Sequence, residues 1–111
     1  MRVLSTSLSS RLPSVVIADD SAVAREGLVA IIRRDPGYTV CGLATDERTM
    51  GELAEKHQPD LLVIEPFLGR HDGIFLLKQF AARFPQVRIL AVSRQREDIY
   101  AERALRAGAS G

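Results

Sequence analysis

A chain of 111 residues has the length of one domain, and its 46% apolar content is enough for a single core. A formal charge of +1, with no stripe of Lys and Arg, gives no DNA-binding surface of its own. The single Cys41 excludes an internal disulfide, and no apolar run approaches the ~18 residues of a membrane span. Residues 1–13 are Ser-rich and aperiodic and read as a flexible tail. They contain no apolar stretch long enough for a secretory signal, so the expected location is cytoplasmic.

From Ser14 onward the chain alternates between two kinds of pattern. Residues 14–18 (SVVIA) are a continuous apolar run, the mark of a strand covered on both faces, and they end at Asp19-Asp20. Residues 21–34 place Ala24, Leu28, Ile31 and Ile32 on one helical face, with Asp20 or Ser21 as the N-cap. Asp35-Pro36-Gly37 turns the chain. Residues 38–44 (YTVCGLA) read as a strand whose small residues suit a position near an edge. Cys41 reads there as a small buried hydrophobe. Thr45 or Asp46 caps a second helix, with Met50, Leu53, Ala54 and His57 on one face.

The third strand carries the strongest signal. Leu61-Leu62-Val63-Ile64 is apolar throughout, Glu65 ends it, and Pro66 cannot donate the next ladder hydrogen bond. After Asp72-Gly73, a third helix has Ile74, Leu77, Ala81 and Phe84 inward, with Phe80 beside them. Residues 87–92 (VRILAV) read as a fourth buried strand ending at Ser93. A last helix spans residues 97–107, with Ala101, Ala104 and Leu105 inward and Gly108 at C′. The order β-α-β-α-β-α-β-α, with short connections, implies right-handed crossovers and a parallel sheet with helices on both faces.

In such sheets the chemistry lies at the carboxyl ends of the strands. Three strand ends carry polar groups: Asp19-Asp20, Glu65 and Ser93. Carboxylates converging on one edge repel unless a cation neutralises them, and Mg²⁺ takes one or two carboxylates, a carbonyl and several waters. An acidic trio beside a hydroxyl suits Mg²⁺-assisted chemistry at phosphate. There is no Cys/His metal signature, Gly-rich phosphate loop or nucleophilic Ser elbow, and His57 and His71 are isolated. On these residues alone, Glu65 reads equally well as a carboxylate that merely solubilises a strand end.

Together, Val15-Val16-Ile17-Ala18-Asp19-Asp20, Pro59-Asp60, Asp72-Gly73, Ser93 and residues 105–111 (LRAGASG) resemble the receiver domain of two-component response regulators. Arg25-Glu26-Gly27-Leu28 and Asp35-Pro36-Gly37-Tyr38 are similar to the subfamily whose receivers precede a LuxR-type helix-turn-helix. The resemblance covers residues 14–111, taken as the receiver domain. It implies a flavodoxin-like doubly wound sheet of order 2-1-3-4, with helices two to four on one face and the first on the other.

By the same resemblance, Asp19 and Asp20 hold Mg²⁺ and the Phe67 carbonyl is a further ligand. Ser93 is the switch hydroxyl. Glu65 stands where the family has its phospho-accepting Asp. That is the main departure, beside Pro66 and Gly69 where other residues are usual. The family's fifth strand, fifth helix and Lys fall beyond Gly111. A strand edge and an apolar surface are then expected to be bare and to invite association, a homodimer included.

The expected function is an atypical receiver, not an enzyme. It would control an attached DNA-binding output without ordinary phosphorylation, with a sensor histidine kinase as the family's usual partner. The alternatives are a phosphoacceptor switch that uses Glu65 and a Mg²⁺-dependent phosphatase. Two further expectations concern the acidic edge: weak Mg²⁺ affinity at Asp19, Asp20 and Glu65, or replacement of the cation by Arg70.

Overall fold

The computed structural model describes residues 12–68, 73–92 and 98–111, with the backbone alone for residues 98–100. Four strands and four helices alternate: β1 (Ser14–Ala18), α1 (Ala22–Arg33), β2 (Thr39–Ala44), α2 (Glu47–His57), β3 (Leu61–Ile64), α3 (Gly73–Arg83), β4 (Arg88–Ala91) and α4 (Asp98–Ala107). The strands form one parallel sheet in the order β2-β1-β3-β4. This is the doubly wound arrangement expected from the sequence. Its central strands, β1 and β3, are the two that end in Asp19 and Glu65.

The pleat sorts β1 into two cores. Val16 and Ala18 face one side with Leu62, Ile64 and Ile89, under Met50 and Ala54 of α2, Leu76, Leu77 and Phe80 of α3, and Ala104 and Ala107 of α4. Val15, Ile17 and Val63 face the other side, under Leu28, Val29 and Ile32 of α1. All five residues of β1 are buried, as a strand covered on both faces requires. Asp60 secures the opposite end of the sheet, where its Oδ2 accepts the Ser14 N–H at 2.7 Å.

Helix starts are set by side-chain caps. Ser21, rather than Asp20, caps α1 by accepting the Ala24 N–H at 3.2 Å. Asp46, rather than Thr45, caps α2 by accepting the Thr49 N–H at 2.8 Å. Gln58 closes α2 at φ 47°.

Three sequence expectations change. The inward face of α1 is rotated: Ile31 is 58% exposed, and Val29 is buried in its place. Leu28 and Ile32 pack against the sheet as expected, with Val29 between them in place of Ile31. In α4, Ala101 and Leu105 are exposed, while Ala104 and Ala107 are buried. This helix packs along α3, where Gly108 meets Ala81, so small residues take the inner positions. Finally, β4 alternates: Ile89 is buried, whereas Leu90 is 39% exposed on the α1 side of the sheet. Among the described residues, one face of that strand is covered.

β2 is an edge strand, as its small residues suggested. Its register slips between Val15/Val40 and Val16/Gly42, which leaves Cys41 as the extra, half-buried residue of a bulge. Beyond α4 the chain turns back along β4. The Ser110 and Gly111 N–H groups both donate to the Ile89 carbonyl, at 2.6 and 3.3 Å, and the Ala91 N–H donates to the Gly111 carbonyl at 2.8 Å. Residues 110 and 111 therefore lie in ladder geometry beside β4.

Candidate functional site at the carboxyl ends of β1 and β3

Ala18 is the last residue of β1 and pairs with Ala44 on one side and Ile64 on the other. The next residue, Asp19, extends the ladder: its N–H donates to the Ala44 carbonyl at 3.0 Å. Its side chain is only 2% exposed, and Oδ1 accepts the Ser21 N–H at 2.9 Å. The Asp19 carboxylate thus shapes the turn into α1, in the manner of an Asx turn. Asp20, which follows it, is exposed.

Glu65 is held from the neighbouring strand. Its N–H donates to the Ala18 carbonyl at 2.9 Å, so the backbones of the Asp19 and Glu65 positions emerge from adjacent strands at the same level. Glu65 is 2% exposed. The loop that follows is tight: the Leu68 N–H donates to the Glu65 carbonyl at 3.1 Å, and Leu68 lies at φ 33°. A non-glycine residue in that region is strained. Burial of the Leu68 side chain in the main core offsets the strain. Phe67 is half-buried in this loop.

Arg25 is a site-shaping residue that the sequence reading left aside. Its Nη1 donates to the Asp19 carbonyl at 2.8 Å. The side chain starts in the first turn of α1, half-buried, one turn before Leu28 and Val29 and two before Ile32, which pack against the sheet. The i, i+3, i+4, i+7 spacing of these four residues was available in the sequence as the signal.

The structure brings Asp19, Asp20 and Glu65 to one end of two adjacent strands. Among the described residues, however, no group of three His, Cys, Asp or Glu side chains is arranged to hold a metal ion. The donor chemistry, hard carboxylate and carbonyl oxygens, fits Mg²⁺ bound through one or two carboxylates and water rather than in a cage. Ser93, Arg70, His71 and Asp72 lie outside the described residues.

A doubly wound parallel sheet with buried acidic residues at the ends of its two central strands is the architecture of a signalling receiver. Residues 15–111 match the response regulator receiver domain family, and the chain belongs to it. It is 30% identical over 97 residues to the transcriptional regulatory protein DegU of Brevibacillus brevis, covering 87% of this chain and 41% of that protein. The chain thus spans less than half the length of that relative. Among solved structures, the response regulator domain of Thermotoga maritima CheB superposes with a TM-score of 0.78 at 31% identity, covering 90% of this chain and 75% of that one. A LuxR-family two-component response regulator from Aurantimonas sp. SI85-9A1 superposes with a TM-score of 0.81 at 29% identity, covering 91% and 72%. Among the described residues, no helix is long and apolar enough to cross a membrane.

Proposed function

We propose that residues 14–111 are an atypical receiver, preceded by a tail of residues 1–13, that controls a DNA-binding output without phosphorylation at position 65. The observation that carries this reading is Glu65 itself, buried at the carboxyl end of β3 where the family places an Asp. Its extra methylene displaces the attacking oxygen by about 1.5 Å. In-line phosphoryl transfer depends on positioning, and an error of about 1 Å costs roughly a hundredfold in rate. The Brevibacillus relative, a transcriptional regulatory protein, and the Aurantimonas structure, a LuxR-family two-component response regulator, support a transcriptional output. On this reading the protein is cytoplasmic and not an enzyme. A sensor histidine kinase is its partner only if phosphotransfer occurs.

The same methylene lets the Glu65 carboxylate extend toward the place where a phosphoryl group would sit. A carboxylate offers two oxygens and one charge against a phosphoryl's three oxygens and about two charges, so the mimicry is partial. The proposed result is a fixed conformational bias. Asp19, Asp20 and Glu65, with the Phe67 carbonyl, are the proposed ligands of a weakly held Mg²⁺, which would supply counter-charge to the acidic edge.

Incubation with acetyl phosphate and Mg²⁺, followed by intact mass, tests the reading. The expected spectrum shows no stoichiometric adduct for the native protein. A full adduct that disappears in Glu65→Gln would establish a conventional phosphoacceptor instead. Turnover of a phosphomonoester by the purified protein would favour a phosphatase.

A further inference from the structure

We infer that Arg25 is a built-in counter-charge at the acidic edge, a positioning residue that holds the Asp19 carbonyl and keeps Mg²⁺ affinity low. The inference rests on the proposed Mg²⁺ site at Asp19 and Asp20 and names what sets its affinity. Its basis is the Arg25 Nη1 to Asp19 carbonyl hydrogen bond of 2.8 Å. That bond fixes a permanently charged guanidinium on the peptide that joins the two aspartates. The position is not a surface accident. Arg25 is half-buried in the first turn of α1, and α1 starts at the Ser21 cap, whose N–H is itself tied to Asp19 Oδ1. The side chain is half-buried, and its anchor is the end of a fully buried strand.

The consequence is electrostatic. A guanidinium held on the peptide between the two aspartates would repel a divalent cation bound there, and in water-like surroundings repulsion of about 1 kcal/mol lowers affinity roughly fivefold. The guanidinium also stabilises the acidic turn without a metal, so the site is less dependent on a cation than its carboxylates alone imply. This suits a receiver whose acceptor position carries Glu65, in which metal-assisted phosphoryl transfer has little role.

Mg²⁺ titration followed by amide shifts of residues 19–21, at low ionic strength, tests the inference in the native protein, Arg25→Gln and Arg25→Lys. Arg25→Gln is expected to bind Mg²⁺ roughly fivefold more tightly, by loss of the charge. Arg25→Lys, which keeps the charge, is expected to stay within about twofold of the native protein. Equal or weaker binding in Arg25→Gln overturns the inference, because a purely structural peg would loosen the turn and lower the affinity. An equal rise in both variants also overturns it, since charge would not be the cause. If native protein binds Mg²⁺ and Arg25→Gln matches it, the inference alone fails. If neither variant nor native protein responds at high millimolar Mg²⁺, the metal site fails as well.

Discussion

Gly73 meets the backbone of Pro66 so closely that a Cβ at position 73 would lie 2.8 Å from the Pro66 carbonyl oxygen and 2.9 Å from its carbonyl carbon. The start of α3 is thereby pressed against the Pro66–Phe67 peptide, one residue beyond Glu65. Glycine is required here by the approach of two main chains, neither of which is a flexible side chain that could step aside. Gly73→Ala is expected to destabilise the fold by about 1–3 kcal/mol, the usual cost of overpacking. Urea unfolding measures the loss. The amide shifts of Glu65, Phe67 and Leu68 should move as well, and an unchanged loop would show that α3 yields instead.

Gly108 carries two constraints that can be separated. It lies at φ +130°, and an added Cβ would come within 2.5 Å of the Ala81 Cβ. Gly108→Ala is expected to cost about 1–3 kcal/mol from strain and contact together. Ala81→Gly in the same background relieves the contact and leaves the strain. Partial recovery in the double variant, read by thermal unfolding, is the expected result. Full recovery would assign the whole cost to the contact.

Asp60 acts as a clasp at the amino-terminal end of the sheet. Its carboxylate accepts the Ser14 N–H, and its own N–H donates to the Ser14 carbonyl at 2.9 Å. Asp60→Ala leaves the first amide of β1 without its acceptor and is expected to cost about 1–3 kcal/mol. Asp60→Asn keeps an acceptor oxygen and should lose less. Equal losses in urea would point to charge rather than the hydrogen bond.

The α2 cap predicts a pH dependence. The Thr49 backbone N–H, followed by the Thr49 side chain, holds the Asp46 carboxyl below its ordinary value of 3.8. A folded-state pKa below the unfolded one gives stability that is complete above the unfolded value and is lost as pH falls through the folded value. Asp46→Ala should therefore lower the melting temperature at pH 7, and the gap from native protein should close below about pH 3.8. A gap of constant size across that range would show that the ionised carboxylate is not the capping species.

Much of this molecule was legible in its residues. Short apolar runs at 15–18 and 61–64, bounded by turn signals, suit strands covered on both faces, and their alternation with helical periodicity leaves a parallel sheet as the economical solution. Asp19 and Glu65 were legible as strand-end carboxylates, since each follows a buried run directly. The tertiary structure decided what depends on how neighbours meet. Which stripe of α1 faces inward was set by the sheet, which takes Val29 in place of Ile31, and only the fold shows Arg25 reaching the Asp19 carbonyl. Ala104 stays inward as expected, while Ala101 and Leu105 give way to Ala107, because α4 packs on α3 at the Gly108–Ala81 approach. Periodicity records that a helix has an apolar side, but several stripes a single residue apart satisfy it. Only the close-packed surface opposite selects among them, because side-chain volume is felt at contact and not along the chain.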